Sequence, residues 1–234
     1  MKVDRHSHLL AGFLVASLIL VAASLLEAVA ALASYPAFFW QPAAWGFVLR
    51  FGCAYVAYGV LIAVLAARAS HLADILRLAA IWGTATAALE IANISIEHGW
   101  PLAAHGPALQ IAFMLASFLL WGCAGGHAAR RARSVWAGLL GGICSAAFSS
   151  LVSVPAGLCI EFFVSPPAPQ YVAEWGEFKR SGWTDAHAFG IANALDSAFT
   201  HLLLAPSVAA IFALGSALLA TRIRSEIAKN NVAQ

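Results

Sequence analysis

The sequence predicts an all-α, polytopic integral membrane protein: one domain, built as a bundle of six transmembrane helices with both termini in the cytoplasm. Apolar residues make up 62% of the 234-residue chain and charged residues only 10%, whereas a soluble domain carries roughly 25% charged residues. Six apolar segments are each long enough to cross a hydrocarbon core of about 30 Å, which takes roughly 20 helical residues. These segments lack the alternating pattern of a membrane β-barrel.

Polar connectors separate the predicted spans. The spans cover about 9–33, 46–67, 75–96, 107–126, 135–164 and 186–221. The first is longer than the apolar core of a secretory signal, which is about 7–15 residues, so we expect an uncleaved helix; cleavage after Ala33 is the alternative. The last two spans exceed the length that a crossing needs, and Pro155 and Pro206 are candidate kink points within them.

Two connectors have distinctive compositions. The hydrophilic connector 165–185 predicts either a short interfacial helix that caps the bundle or a passive linker. The connector 97–106 holds His98 and His105, each followed by glycine, and its Gly and Pro residues favour a tight turn over a metal site.

Basic residues determine the predicted topology. Arg and Lys are concentrated in the two termini and in the connectors 68–74 and 127–134. Because short Lys/Arg-rich loops stay in the cytoplasm, the chain is predicted to be a multi-pass protein of the inner (plasma) membrane. Tryptophan prefers membrane interfaces, and Trp82 and Trp121 are assigned to the cytoplasmic ends of their spans.

This topology gives the outward half of the protein most of the acidic residues. They are Glu27, Glu90, Glu97, Glu161, Glu174, Glu177, Asp185 and Asp196. Such a half would attract cations and repel anions. The alternative is that acids are merely tolerated there while Lys and Arg are excluded.

The third span carries a polar stripe. Glu90, Asn93 and Glu97 fall within a sector of about 60° on a helix. Glu90 follows Arg77 by 13 positions, hence by about 20 Å of helix, which takes it beyond the midplane. A carboxylate at that depth is a candidate functional group by default. A neutral, hydrogen-bonded structural acid is the alternative.

The sixth span carries a second stripe of Asn193, Asp196 and Thr200. His201 lies about 140° from Asp196, so these two side chains cannot bind one ion from the same face. A site must therefore be assembled between helices, with Glu90 and Asn93 facing Asn193 and Asp196. The candidate vestibule residues around it are Glu27, Glu97, Glu161 and His201.

Glycine spacing suggests close helix packing. Gly122 and Gly126, like Gly138 and Gly142, are four residues apart, a spacing that lets helix backbones approach each other.

The leading functional hypothesis is a small transporter or channel-like protein for a cation or a protonatable small solute. Glu90 and Asp196 would bind the cation or exchange protons, while Asn93, Asn193 and Thr200 would supply neutral dipoles. One alternative is a non-catalytic subunit of a larger membrane complex. Another is a membrane-embedded enzyme that acts on a lipid-linked substrate through Asp196, His201 and Glu90.

Motifs and charge clusters bear on the function class, the cofactors and the partners that the sequence predicts. The sequence has no His-Glu-x-x-His motif, no Gly-x-Ser-x-Gly elbow and no phosphate-binding loop, which disfavours an enzyme. It indicates no particular metal or cofactor. The expected partners are the lipid bilayer and either another membrane protein or a second copy of the chain. The cluster Arg130-Arg131-Arg133 is interpreted as a topology signal that contacts anionic lipid, so nucleic acid is not an expected partner.

Overall fold

A computed structural model describes residues 4–99 and 106–232, with side chains for 11–68, 72–97 and 108–223. Within these ranges the chain is almost entirely helical and has no β-strand. Six of the helices described are long and apolar enough to span a membrane. The predicted all-α, six-span fold is therefore confirmed. The side chains of His98 and His105, and those of the basic leader, lie outside the described residues.

The helices follow one another with short connections. In chain order they are α1 (Asp4–Ser34), a 3-10 helix (Pro36–Trp40), α2 (Ala44–Ala67), α3 (Ala69–Gly99), α4 (Gly106–Ala132), α5 (Val135–Cys159), a π-helical turn (Ile160–Val164), α6 (Pro169–Ala173), α7 (Gly176–Ser181) and α8 (Ala186–Val232). We call the end of the bundle that carries 35–43 and 165–185 the loop end. The opposite end, which carries Arg68, Arg131 and Arg222, is the arginine end.

The helices extend beyond their apolar segments at the arginine end. Only Arg68 separates α2 from α3, α4 continues to Ala132, and α8 continues to Val232. Hydropathy marks the part of a helix that suits lipid, whereas backbone hydrogen bonding continues until the chain is capped or broken.

The longer helices change the positions assigned to two tryptophans. Trp82 and Trp121 lie near the middle of α3 and α4, and Trp121 is only 2% exposed. The prediction that both lie at the cytoplasmic ends of their spans is therefore wrong. Trp121 is a packing residue of the core and not an interfacial anchor.

Helix α5 is the centre of the bundle. It packs against α1, α3, α4 and α8, whereas α2 lies at the periphery against α1 and α8. The long apolar side chains of α1 and α2 that remain exposed, such as Val15 and Val60, suit a lipid environment.

Small residues bring α4, α5 and α8 close together in the half of the bundle near the arginine end. A Cβ atom added to Gly138 would lie 2.5 Å from the Cβ of Ala217, and one added to Gly125 would lie 2.6 Å from the Cβ of Ala213. Gly142 also contacts Ala213. Since larger side chains would overlap at these points, the sequence of small residues sets the helix separation. The Gly122/Gly126 pair faces Ser216 of α8 at longer distances.

Asp185 caps the start of α8, the longest helix described. Its Oδ1 accepts hydrogen bonds from the backbone amides of His187 (2.9 Å) and Ala188 (3.0 Å), and its Oδ2 accepts one from the Tyr35 hydroxyl (2.6 Å). A carboxylate at this position satisfies free amides of the first turn and complements the helix dipole. One side chain thus starts α8 and ties it to the segment after α1.

The connector 165–185 is packed onto the bundle as a cap. Val172 is fully buried, and the Trp183 ring contacts the rings of Phe38, Phe47 and Phe189 with centroids 5.7–5.8 Å apart. Of the two structures predicted for this connector, the capping one describes it, although it has two short helices instead of one.

We expect Gly142→Ala to destabilise the bundle. The added methyl group would overlap Ala213 of α8, and overpacking of this kind costs about 1–3 kcal/mol. The matched control is Gly215→Ala, because a Cβ atom there meets nothing within 4 Å. Thermal unfolding in detergent should show a lower midpoint for the first variant only; equal midpoints would contradict the packing described.

The cap at Asp185 predicts an acid-sensitive part of the stability. Burial raises the pKa of this carboxyl, but hydrogen bonds from Tyr35 and from the amides of Ala188 and His187 bring it below its ordinary value of 3.8. Its contribution is therefore complete above pH 3.8 and is lost as the pH falls through the lower, folded-state pKa.

Asp185→Asn tests this contribution, because asparagine still caps a helix but does not titrate. Between about pH 5 and pH 3 the wild-type unfolding midpoint should fall further than that of the variant. Parallel curves for the two proteins would show that Asp185 does not contribute in this way.

Candidate functional site

Two neighbouring cavities lie in the loop-end half of the bundle. The first, of about 820 Å³, lies between α3, α5, α8 and the connector that contains α6; we call it the cap cavity. The second, of about 760 Å³, lies between α3, α4 and α8; we call it the groove. Glu97, Ser197 and His201 line both, so the two spaces adjoin along one face of α8.

The structure brings most of the predicted site residues to these cavities. Glu90, Asn93, Glu97, Asp196, Thr200 and His201 line the groove, whereas Glu97, Glu161, Asn193 and His201 line the cap cavity. Glu90 and Asp196 thus reach one space from distant parts of the chain. Asn193 faces the other space, and Glu27 lines neither of the two.

Glu90 is the most buried acid of the groove. Its side chain is 9% exposed, and neither carboxylate oxygen accepts a hydrogen bond from any described residue. In the part of the chain that the structure describes, the nearest basic atom is His201 Nε2, 3.5 Å from Glu90 Oε2. A carboxylate in such surroundings needs a proton, a cation or hydrogen-bond donors to offset its lost hydration. Glu90 therefore has unused capacity to bind a cationic group.

His201 joins Glu90 to α5. The same Nε2 atom that faces Glu90 lies 3.4 Å from the Ser153 hydroxyl. In a Ser-His-acid triad the nucleophile and the acid contact different ring nitrogens. The two contacts on one nitrogen are therefore not the arrangement that activates a serine. Ser153, His201 and Glu90 therefore do not form a hydrolytic triad.

Metal ligation finds no support in the described part of the chain. No group of three or more His, Cys, Asp and Glu residues is arranged there to hold a metal ion. His201 and Asp196 contact different helices, in keeping with the angle that separates them on α8.

Asp196 pairs with Arg50, a residue that sequence reasoning did not connect with the site. Arg50 Nη1 lies 2.9 Å from Asp196 Oδ1, and the guanidinium also lies over the rings of Phe47 (4.7 Å) and Phe199 (5.8 Å). The available signal was a basic residue near the start of the second apolar segment, since such residues commonly pair within the bundle. The pair offsets the charge of Asp196, so Glu90 is the less compensated acid.

The groove ends at Trp121. The Trp121 Nε1 donates a hydrogen bond to the Ser149 hydroxyl (3.3 Å), and the Ser149 hydroxyl donates one to the Ala146 carbonyl (3.0 Å). On the arginine-end side of this ring α5 meets α8 at Gly142 and Ala213. The groove is therefore closed toward the arginine end by an aromatic ring and by close backbone packing.

Comparison with protein-family models, with curated proteins and with solved structures finds no match to this chain. The site is consequently interpreted from its own geometry and chemistry.

The Arg50–Asp196 pair predicts coupling between two helices. Arg50→Met should destabilise the protein because it leaves the Asp196 carboxylate unpaired, and Asp196→Asn in the same chain should recover part of that loss. We expect a coupling energy of about 1 kcal/mol in a double-mutant cycle measured by thermal unfolding in detergent. Additive effects of the two substitutions would mean that the ion pair does not stabilise the fold.

Proposed function

We propose that this chain is a small transporter or channel-like protein for a cation or a protonatable small solute. The observation that carries the proposal is Glu90, a buried carboxylate that accepts no hydrogen bond from the described residues, on the wall of a cavity in a multi-pass membrane protein. In this proposal both termini are cytoplasmic, the membrane is the plasma membrane, and the loop end faces outward.

The charges around the cavities support a cationic solute. Glu97, Glu161 and Glu177 line the cap cavity, and Glu90, Glu97 and Asp196 line the groove, with no Lys or Arg among the described lining residues of either. Arg50 pairs with Asp196 and Arg180 lies 3.7 Å from Glu177, so acids still outnumber these basic groups around both cavities. A unit cation about 4 Å from a carboxylate gains about 4 kcal/mol at an effective dielectric constant of about 20. An anion would meet repulsion of similar size.

The closed inner half supports a mechanism with access from one side at a time. In this structure the cavities lie at the loop end, while the glycine contacts of α4, α5 and α8 seal the other half. Passage of a solute would require these helices to separate below Trp121. The Glu90–His201 contact would then be the element that senses the solute or a proton, because it joins α3 to α8.

Uptake of radiolabelled methylammonium into proteoliposomes tests the proposal. We expect uptake above that of protein-free liposomes, and we expect Glu90→Gln to reduce it at least tenfold because the solute loses its counter-charge. Asp196→Asn should also reduce it. The matched control is Glu174→Gln, since Glu174 lies in the exposed cap, pairs with Lys179 and lines neither of the two cavities.

The contradicting results are equally specific. Wild-type uptake no faster than that of empty liposomes, for methylammonium and for Na⁺ and K⁺ alike, would overturn the proposal. Normal uptake in both Glu90→Gln and Asp196→Asn would do the same. A fixed protein partner that co-purifies with wild type and with the carboxylate variants equally would favour a non-catalytic subunit.

A further inference from the structure

We infer that the groove binds an amphiphilic cation, with an ammonium-type head group at Glu90 and a short apolar tail directed toward Trp121. The inference rests on the proposed function, because it uses the same carboxylate as the cation site. It adds the class of solute: an amine or quaternary ammonium with one apolar chain instead of a small hydrated ion.

Polarity changes along the groove in the direction that an amphiphile requires. On α3 and α8 the polar residues Glu97, Asn93 and Asp196 lie on the loop-end side together with Glu90, whereas Leu204 and Val208 of α8 lie on the other side. The α4 wall is apolar at both levels, with Ile111, Phe113 and Met114 on the loop-end side and Phe118 and Trp121 on the other. Val208 follows His201 by seven positions, hence by about 10 Å of helix. The apolar part is therefore long enough for a short alkyl chain below the level of Glu90.

A small hydrated ion would not use this apolar part. Apolar walls gain nothing from a hydrated cation, but each methylene that leaves water contributes to the binding of a tail. The cap cavity differs, because it adjoins the polar connector and has Glu97, Glu161 and Glu177 around it. Of the two spaces, the groove is the one suited to a tail.

The groove is also open along its side. Ile111, Met114 and Leu204, which lie on its α4 and α8 edges, are 47–56% exposed although they are large and apolar. In a bundle that spans a membrane this surface faces lipid. An amphiphile could enter from the bilayer with its tail in the groove and its head group near the acids. The carboxylates would exclude an anionic amphiphile of the same length.

A series of alkyltrimethylammonium ions tests the inference. The protein is placed in lipid nanodiscs, and its affinity is measured for tetramethyl-, butyltrimethyl- and hexyltrimethylammonium. Binding of each ion to protein-free nanodiscs is subtracted. Since a fully buried methylene is worth about fourfold in affinity, we expect at least a tenfold gain from tetramethyl- to butyltrimethylammonium. Hexanoate should not bind.

Two variants locate the tail. Val208→Trp should fill the apolar end and bring the ratio of hexyl to tetramethyl affinity close to one. Val60→Trp is the matched control, because Val60 is exposed on α2 and does not line the groove. Should Val208→Trp fail to fold, 6-bromohexyltrimethylammonium serves instead. Its bromine should quench wild-type tryptophan fluorescence more strongly than that of Trp121→Phe.

The outcomes separate this inference from the proposed function. Affinity that does not change with chain length, or quenching that is unaffected by Trp121→Phe, overturns the amphiphile assignment while methylammonium uptake can remain intact. Failure of the whole series to bind overturns the amphiphile assignment as well. Loss of the proposed function is shown independently, by methylammonium uptake that does not depend on Glu90 or Asp196.

Discussion

The close contact of α4, α5 and α8 determines where open space exists in this protein. Gly125, Gly142 and Ala213 let the three backbones meet in the half of the bundle near the arginine end. Where the helices continue toward the loop end, larger side chains such as Trp121 and Phe118 stand between them and the groove begins. The bundle is therefore tightly packed in one half and contains cavities in the other. The proposed function needs this asymmetry, because its solute would reach the site from one side of the membrane.

Glu90 and Asp196, two intramembrane acids that look alike in the sequence, differ in how far a neighbouring basic group offsets their charge. Asp196 has the guanidinium of Arg50 at 2.9 Å, so its charge is offset by a neighbouring helix. Among the described residues, the basic group next to Glu90 is the imidazole of His201, at 3.5 Å, and Glu90 is far more buried than Asp196. The cost of burial therefore falls mainly on Glu90. A cationic or protonatable ligand would explain why a carboxylate is present at a position where it loses its hydration.

The cap gives the cavities a fixed boundary at the loop end. Asp185 starts α8 and accepts the Tyr35 hydroxyl, while Trp183 packs among phenylalanine rings from three parts of the chain. Val172 of the same connector is fully buried and Trp175, which lines the cap cavity, packs against the hydrophobic core, so this wall is anchored to the bundle. In the proposed function, a solute would enter through local movement of this connector or through the open side of the groove.

The sequence by itself was sufficient to predict the fold class and the six spans, because hydropathy and helical periodicity are properties of consecutive residues. The same arithmetic put Glu90, Asn93 and Glu97 on one stripe, and all three line the groove. It misplaced Trp121, since the apolar segment ends before the helix does.

Only the tertiary structure decided which stripes face one another. It paired Asp196 with Arg50, set His201 against Glu90, and divided Asn93 and Asn193 between two cavities. These contacts depend on the rotation of each helix about its axis and on its distance from its neighbours. Both are set by small-residue packing among segments far apart in the chain, and the spacing of residues within one helix does not contain that information.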